Sequence, residues 1–160
     1  MKMAHQLGLP LYLGDIPLKI DHLNMSVTDL AASIAWYGEL FGFSVVERGV
    51  LEDGRPWAII RADDALLAMY EYSEREFLDG DLLQSRQIHG LNHFGLTIED
   101  PENWLKKVKT MGIEIQYDGV IKWPHSRAWY VIDPSGWEIE VVNWDRGIAF
   151  EPRFLTPDSL

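Results

Sequence analysis

A chain of 160 residues, 47% of them hydrophobic and 24% charged, has the make-up of one folded domain with its own core, which excludes a disordered or fibrous protein. Its 25 acidic and 14 basic side chains leave a formal net charge of −11, so a nucleic-acid backbone or an anionic membrane surface would repel it; a small molecule or a protein is the expected partner. The absence of cysteine excludes disulfides, thiolate metal sites and a thiol nucleophile, and no apolar run approaches the roughly 20 residues of a membrane helix, so a cytoplasmic location is expected.

Residues 1–16 read as an N-terminal arm, whose apolar run is broken by Pro10 and Gly14 and makes a poor signal peptide. A first module is expected over residues 17–72. From Lys19 to Val27 apolar and polar residues alternate (Ile20, His22 or Leu23, Met25, Val27), as in a half-buried strand. Thr28 and Asp29 can cap the next helix, where Leu30, Ile34, Tyr37 and Phe41 recur at helical spacing until Gly42 stops it. Three strand-like runs follow, FSVVERGV, RPWAIIRA and ALLAMYEY, separated by the turn signals LEDG and ADD.

Residues 73–88 read as a charged linker or a short surface helix, with EYSEREFLDGD as a solvated face. A second module, residues 89–145, repeats the order. LNHFGLTI is its first strand, Asp100 caps a helix with Pro101 at the first position, and Trp104, Leu105, Val108 and Met111 form the buried stripe before Gly112. IEIQYDG, RAWYVID and WEIEVVNW are expected strands, the last two joined by the turn DPSG. Residues 146–160 form a tail.

Both modules therefore read βαβββ, and their first strands match: HLNMSVTD sets against HFGLTIED, with His22 on His93 and Asp29 on Asp100, an offset of 93 − 22 = 71 residues. One such unit leaves an edge and a bare face, whereas two side by side bury both. The expected class is α+β, two tandem βαβββ modules forming a curved mixed sheet around a central cavity. Two strand histidines at equivalent repeat positions, joined by a carboxylate on a third strand, form a donor set for a divalent first-row metal.

A tandem βαβββ pair with a histidine on each first strand, closed by DPSGWEIEVVN, resembles the vicinal oxygen chelate superfamily over roughly Leu18 to Asp145. That superfamily includes glyoxalase I, extradiol ring-cleaving dioxygenases, fosfomycin-resistance enzymes, methylmalonyl-CoA epimerase and bleomycin-binding proteins. The resemblance implies a metal in the cavity, with His22, His93 and Glu140 as its ligands, Glu140 lying four residues after Gly136. Glu138 competes with Glu140, and the family spacing selects Glu140. Where glyoxalase I and the epimerase keep a fourth ligand, the end of the hydrophobic run sets Ala68 opposite Glu140. Glu71, three residues away on the other face of a regular strand, would need a bulge to replace it.

Tyr130, ten residues before Glu140, matches a tyrosine of the dioxygenases, and His125 stands where those enzymes carry an acid/base histidine, at a shorter spacing. A second acid/base histidine of that group is missing from ADDALLAMYEYS. Trp57, Trp123, Trp129, Trp137 and Trp144 could wall a flat pocket or fill the core, Arg127 and Lys122 could hold a substrate anion, and His5 and His89 read as surface residues. The resemblance implies an iron(II) dioxygenase acting on a small vicinal-oxygen substrate as a homodimer, with manganese, nickel or zinc as alternative ions. The alternatives are a glyoxalase-like lyase, isomerase or transferase, and a metal-free protein that sequesters an antibiotic.

Overall fold

The first strand, β1 (Leu23–Val27), turns Met25 and Val27 fully into the core and Leu23 against it, which leaves Asn24 and Ser26 for the opposite face. The computed structural model to which it belongs describes residues 20–145, so the N-terminal arm and the C-terminal tail lie outside the described residues. After β1 the Asp29 side chain accepts a hydrogen bond from the Ala32 N–H and caps α1 (Leu30–Phe41), which ends at Gly42 in the left-handed conformation. Three strands follow: β2 (Ser44–Val50), β3 (Pro56–Ala62) and β4 (Ala65–Glu71). They form a mixed sheet of order β1-β4-β3-β2 in which only the β1–β4 pair is parallel.

The second module repeats this plan. It comprises β5 (Phe94–Thr97), a helix Pro101–Met111, β6 (Ile121–Trp123), β7 (Ser126–Ile132) and β8 (Glu138–Trp144), in the sheet order β5-β8-β7-β6. Asp100 caps that helix through the Asn103 N–H, and Gly112 ends it. Between the modules the short helix α2 (Gly80–Ser85) is capped by Asp79; the Pro101–Met111 helix is therefore α3. Among the described residues no helix is long and apolar enough to cross a membrane.

The two ladders share one register. Asn24 pairs with Ala68 across β1 and β4, and Gly95 with Glu140 across β5 and β8, so Ala68 and Glu140 are equivalent as the sequence alignment expects. One expected strand is absent: IEIQYDG is not extended, because Tyr117, Asp118 and Gly119 have φ of 56°, 58° and 115°. A left-handed run cannot continue a ladder. Gln116 still donates one backbone hydrogen bond to the Tyr130 carbonyl, at 2.9 Å, and the strand is deferred to β6.

Both helices and the inner faces of both sheets share one core, which contains Tyr37, Leu40, Ile60, Met69, Trp104, Trp129, Val131, Ile139 and Val141. The modules are joined through the DPSG turn. Asp133 is buried: its Oδ1 accepts from the Ser135 and Trp137 N–H groups, both at 2.8 Å, and its Oδ2 accepts from the Tyr37 hydroxyl of α1 at 3.0 Å. The Ser135 hydroxyl in turn accepts from the Thr28 N–H, and the Trp137 indole donates to the Ser26 carbonyl. The segment 73–88, expected as a solvated linker, seals this turn instead. The Phe77 ring lies edge-on to Trp137 at 4.9 Å, and Gly136, at φ 100°, admits it because a Cβ would come within 2.7 Å of that ring.

Burial raises the Asp133 carboxyl above the ordinary carboxylate range despite these donors. A carboxyl raised in the folded state binds its proton more tightly there than in the unfolded chain, so its contribution is largest in acid and is lost as pH rises through the raised value. Asp133→Ala leaves three buried donors unpaired and is expected to cost on the order of 3 kcal/mol in urea unfolding at neutral pH. Asp133→Asn, which keeps an acceptor for the turn, is expected to cost less than half as much. A loss below about 1 kcal/mol for the alanine variant would show that the joint does not hold the modules together.

Candidate functional site

Alternation along β7 and β8 decides which side chains can meet. Trp129, Val131, Ile139 and Val141 point into the common core, so Ala128, Tyr130, Glu138, Glu140 and Val142 share the opposite face of the second sheet. Tyr130 pairs with Glu140 across the ladder, and Gly95 lies on the other side of Glu140. His93, one residue ahead of β5, reaches over this face. Its Nε2 is 3.2 Å from Glu140 Oε2, and its Nδ1 is 3.5 Å from Glu138 Oε1.

Two tyrosines complete the cluster. The Tyr130 hydroxyl hydrogen-bonds Glu140, and its ring meets the His93 ring edge-on at 5.4 Å. Tyr117 packs edge-on against Tyr130 at 5.1 Å and donates its hydroxyl to Glu138 Oε2. Burial, followed by the hydrogen bond to Glu140 and the charges of both glutamates, pushes the Tyr130 phenol up to about 12. The hydrogen bond to Glu138 comes first for Tyr117, also about 12. Both phenols are donors at neutral pH.

Of the expected site residues, the fold brings together His93, Glu140 and Tyr130. His22 stands just before β1 on the first sheet, exposed, with its Nδ1 2.7 Å from Asp21. Among the described residues no group of three or more His, Asp or Glu side chains is gathered to hold a metal ion. The donor chemistry of His93 and Glu140, an imidazole nitrogen and a carboxylate oxygen converging on one face, fits two ligands of a divalent ion; the third is not supplied beside them.

His125 occupies the exposed turn between β6 and β7, five residues and about 16 Å along the strand from Tyr130. Its carbonyl accepts from the Asp145 N–H. Glu71 is committed to the fold: its Oε2 accepts from the Leu30 N–H at 2.8 Å, at the start of α1. Arg127 is exposed and donates to Asn143, and Lys122 is exposed. Trp129 is a core residue and Trp123 is exposed, whereas Trp57 stacks on Tyr70 and Trp144 packs beside Tyr130 and Val142 on outward faces.

Two members of the cluster escaped the sequence reading. Glu138 read as a rival of Glu140, yet the two carboxylates hold opposite nitrogens of one imidazole. Tyr117 was hidden in a segment read as a strand, although YDG is itself a turn signal.

The chain from residue 19 to 141 matches the model of the Glyoxalase/Bleomycin resistance protein/Dioxygenase superfamily. No curated protein sequence matches it. Solved structures similar in fold include a glyoxalase family protein from Enterococcus faecalis, at 18% identity and TM-score 0.65, covering 78% of this chain and 96% of that one. The fosfomycin resistance protein FosX from Listeria monocytogenes is 14% identical at TM-score 0.59, covering 77% and 88%. Lactoylglutathione lyase from Agrobacterium tumefaciens is 22% identical at TM-score 0.55, covering 81% and 96%. With duplicated βαβββ modules in matching register and a family match across most of its length, this chain belongs to the Glyoxalase/Bleomycin resistance protein/Dioxygenase superfamily.

Proposed function

We propose that this protein is a metal-dependent enzyme that binds a small substrate through two adjacent oxygens, with His93 and Glu140 of one chain and His22 of a second copy as ligands. The observation that carries the reading is the 3.2 Å approach of His93 Nε2 to Glu140 Oε2, on the two positions that the resemblance selects. A divalent ion held there, iron(II) in our preferred reading and manganese, nickel or zinc in the alternatives, supplies a Lewis acid for the substrate oxygens and, as iron, the means of activating dioxygen. Glu138, at the other ring nitrogen, orients the His93 imidazole, and Tyr117 holds Glu138 in place. Tyr130, across the ladder from Glu140 and edge-on to His93, is placed to pass its one O–H from Glu140 to a bound substrate oxygen.

Ring-opening dioxygenation is favoured over lyase or isomerase chemistry by a feature of the first module. A fourth carboxylate ligand would stand where Ala68 does, and the nearest replacement, Glu71, is bonded to the α1 backbone. A second copy is favoured because His22 stands at the head of an edge strand and its polar partner among the described residues is Asp21 alone. Val46, Val50 and Trp123 are more than half exposed on the outermost strands β2 and β6, the kind of apolar edge that association covers.

Elemental analysis of anaerobically purified protein is expected to find close to one metal per chain in the wild type, and about ten-fold less in His93→Ala and Glu140→Ala. Refolding a His22→Ala chain with a Glu140→Ala chain is expected to restore metal to about a quarter of the sites, because only a mixed dimer rebuilds one intact set. No recovery would place all three ligands in one chain. Oxygen uptake on a panel of catechols then decides the reaction: bound zinc or nickel without uptake favours the lyase, and no metal in any preparation leaves a binding protein. The Tyr130 role has its own check. In a difference titration of tyrosinate absorbance on metal-free protein, wild type minus Tyr130→Phe is expected to isolate one phenol ionising at about 12, and a value near 10 would remove both the burial and the hydrogen bond to Glu140 assigned to it.

A further inference from the structure

The outward face of the first sheet holds a hollow of about 450 Å³ that the metal chemistry does not use, lined by Asn24, Ser26, Tyr70, Tyr72, Arg75 and Trp137. Asn24 and Ser26 lie on the β1 face away from the core, and Asn24 is two residues, about 7 Å of extended chain, beyond His22. An aromatic wall stands beside them: Trp57 and Tyr70, paired across β3 and β4, stack at 6.4 Å and 27°. The hollow thus lies along the strand that His22 precedes.

Arg75 gives this hollow its charge. Its guanidinium lies 3.4 Å above the centre of the Tyr72 ring, and its backbone N–H is bonded to the Tyr72 carbonyl at 3.2 Å, so the side chain is stacked rather than free-swinging. A second guanidinium, that of Arg55, lies 4.3 Å from the same ring, but its charge is taken up by Asp53. Arg75 makes no ion pair among the described residues. A smaller hollow of about 330 Å³ on its other side includes Glu76 and apolar side chains, whereas the larger one has no carboxylate in its lining. In a chain of net charge −11, a stacked guanidinium with no ion pair among the described residues, beside the amide of Asn24 and the hydroxyls of Ser26 and Tyr70, is a receptor for an anion.

We infer that this hollow is the specificity subsite of the enzyme, and that Arg75 binds the carboxylate of a planar substrate whose adjacent oxygens lie at the His22 end of β1. The inference deepens the proposed function and rests on it for the position of the reacting oxygens, but the anion subsite itself is independent of metal. Tyr70 in the lining offers an aromatic surface to a flat body, the guanidinium takes two carboxylate oxygens through paired N–H donors, and the hollow runs along β1 in the direction of His22.

The test is calorimetric titration of the full-length protein, anaerobic and with or without added iron(II), using 3,4-dihydroxyphenylacetate and catechol as paired probes. The acid is expected to bind wild type about ten-fold more tightly than catechol, to lose that advantage in Arg75→Gln and to keep part of it in Arg75→Lys, with metal content unchanged in both variants. Equal affinities in the wild type, absence of binding, or an advantage that survives Arg75→Gln would overturn the subsite. An advantage that depends on Arg75 in a protein that takes up no metal would sustain the subsite and overturn the metal reading. Metal uptake without any preference for the acid would do the reverse.

Discussion

Asp133 accepts hydrogen bonds from two backbone N–H groups of its own turn and from a tyrosine hydroxyl of the other module, and it does so in the interior, where an unmet donor is expensive. The consequences reach both ends of the molecule. By holding the DPSG turn against α1, it places Ser135 at the Thr28 N–H and Trp137 at the Ser26 carbonyl, both on the outer edge of β1. The same turn joins β7 to β8, so the strand that carries Glu138 and Glu140 starts from a point fixed to the first module. Phe77 closes over the turn through the space that Gly136 leaves, which brings the segment bearing Arg75 onto the face of β1.

Duplication supplied two copies of one scaffold, and the chemistry has diverged between them. Strand register keeps Ala68 and Glu140 equivalent, so the same position presents a methyl group in the first module and a carboxylate in the second. In the first module the nearest carboxylate, Glu71, accepts instead from the Leu30 N–H at the start of α1, where a negative charge also interacts favourably with the helix dipole. One face has therefore become aromatic and cationic around Trp57, Tyr70 and Arg75, and the other tyrosine- and carboxylate-rich around His93.

The cluster on the second sheet illustrates how polar groups survive partial burial. Each carboxylate is shared between a phenol and one nitrogen of the same imidazole, so that Tyr117, Glu138, His93, Glu140 and Tyr130 form a continuous chain of contacts. The raised phenols follow from this arrangement: burial first and then Glu140 hold up Tyr130, and the hydrogen bond to Glu138 holds up Tyr117. Fixed donors and acceptors of this kind hold a ring in one orientation without movement on binding.

Much of this was legible in the residues alone. The 71-residue offset between His22 and His93, the Asp29 and Asp100 caps, the helix-ending Gly42 and Gly112 and the period-two patterns of β1, β7 and β8 are local signals, and local physical chemistry decides them. The same alternation, read along WEIEVVNW, put Glu138 and Glu140 on one face. Three matters belonged to the tertiary structure. Whether Glu71 serves a metal or a helix depends on α1 starting beside the end of β4, a contact 41 residues distant in sequence. The nearness of Tyr117 to Glu138 depends on consecutive left-handed residues that break an otherwise strand-like pattern. How the His22 end of one sheet is set against the His93 end of the other depends on how two similar sheets pack through Asp133, since a sequence repeat specifies each module but not the placement of one copy against the other.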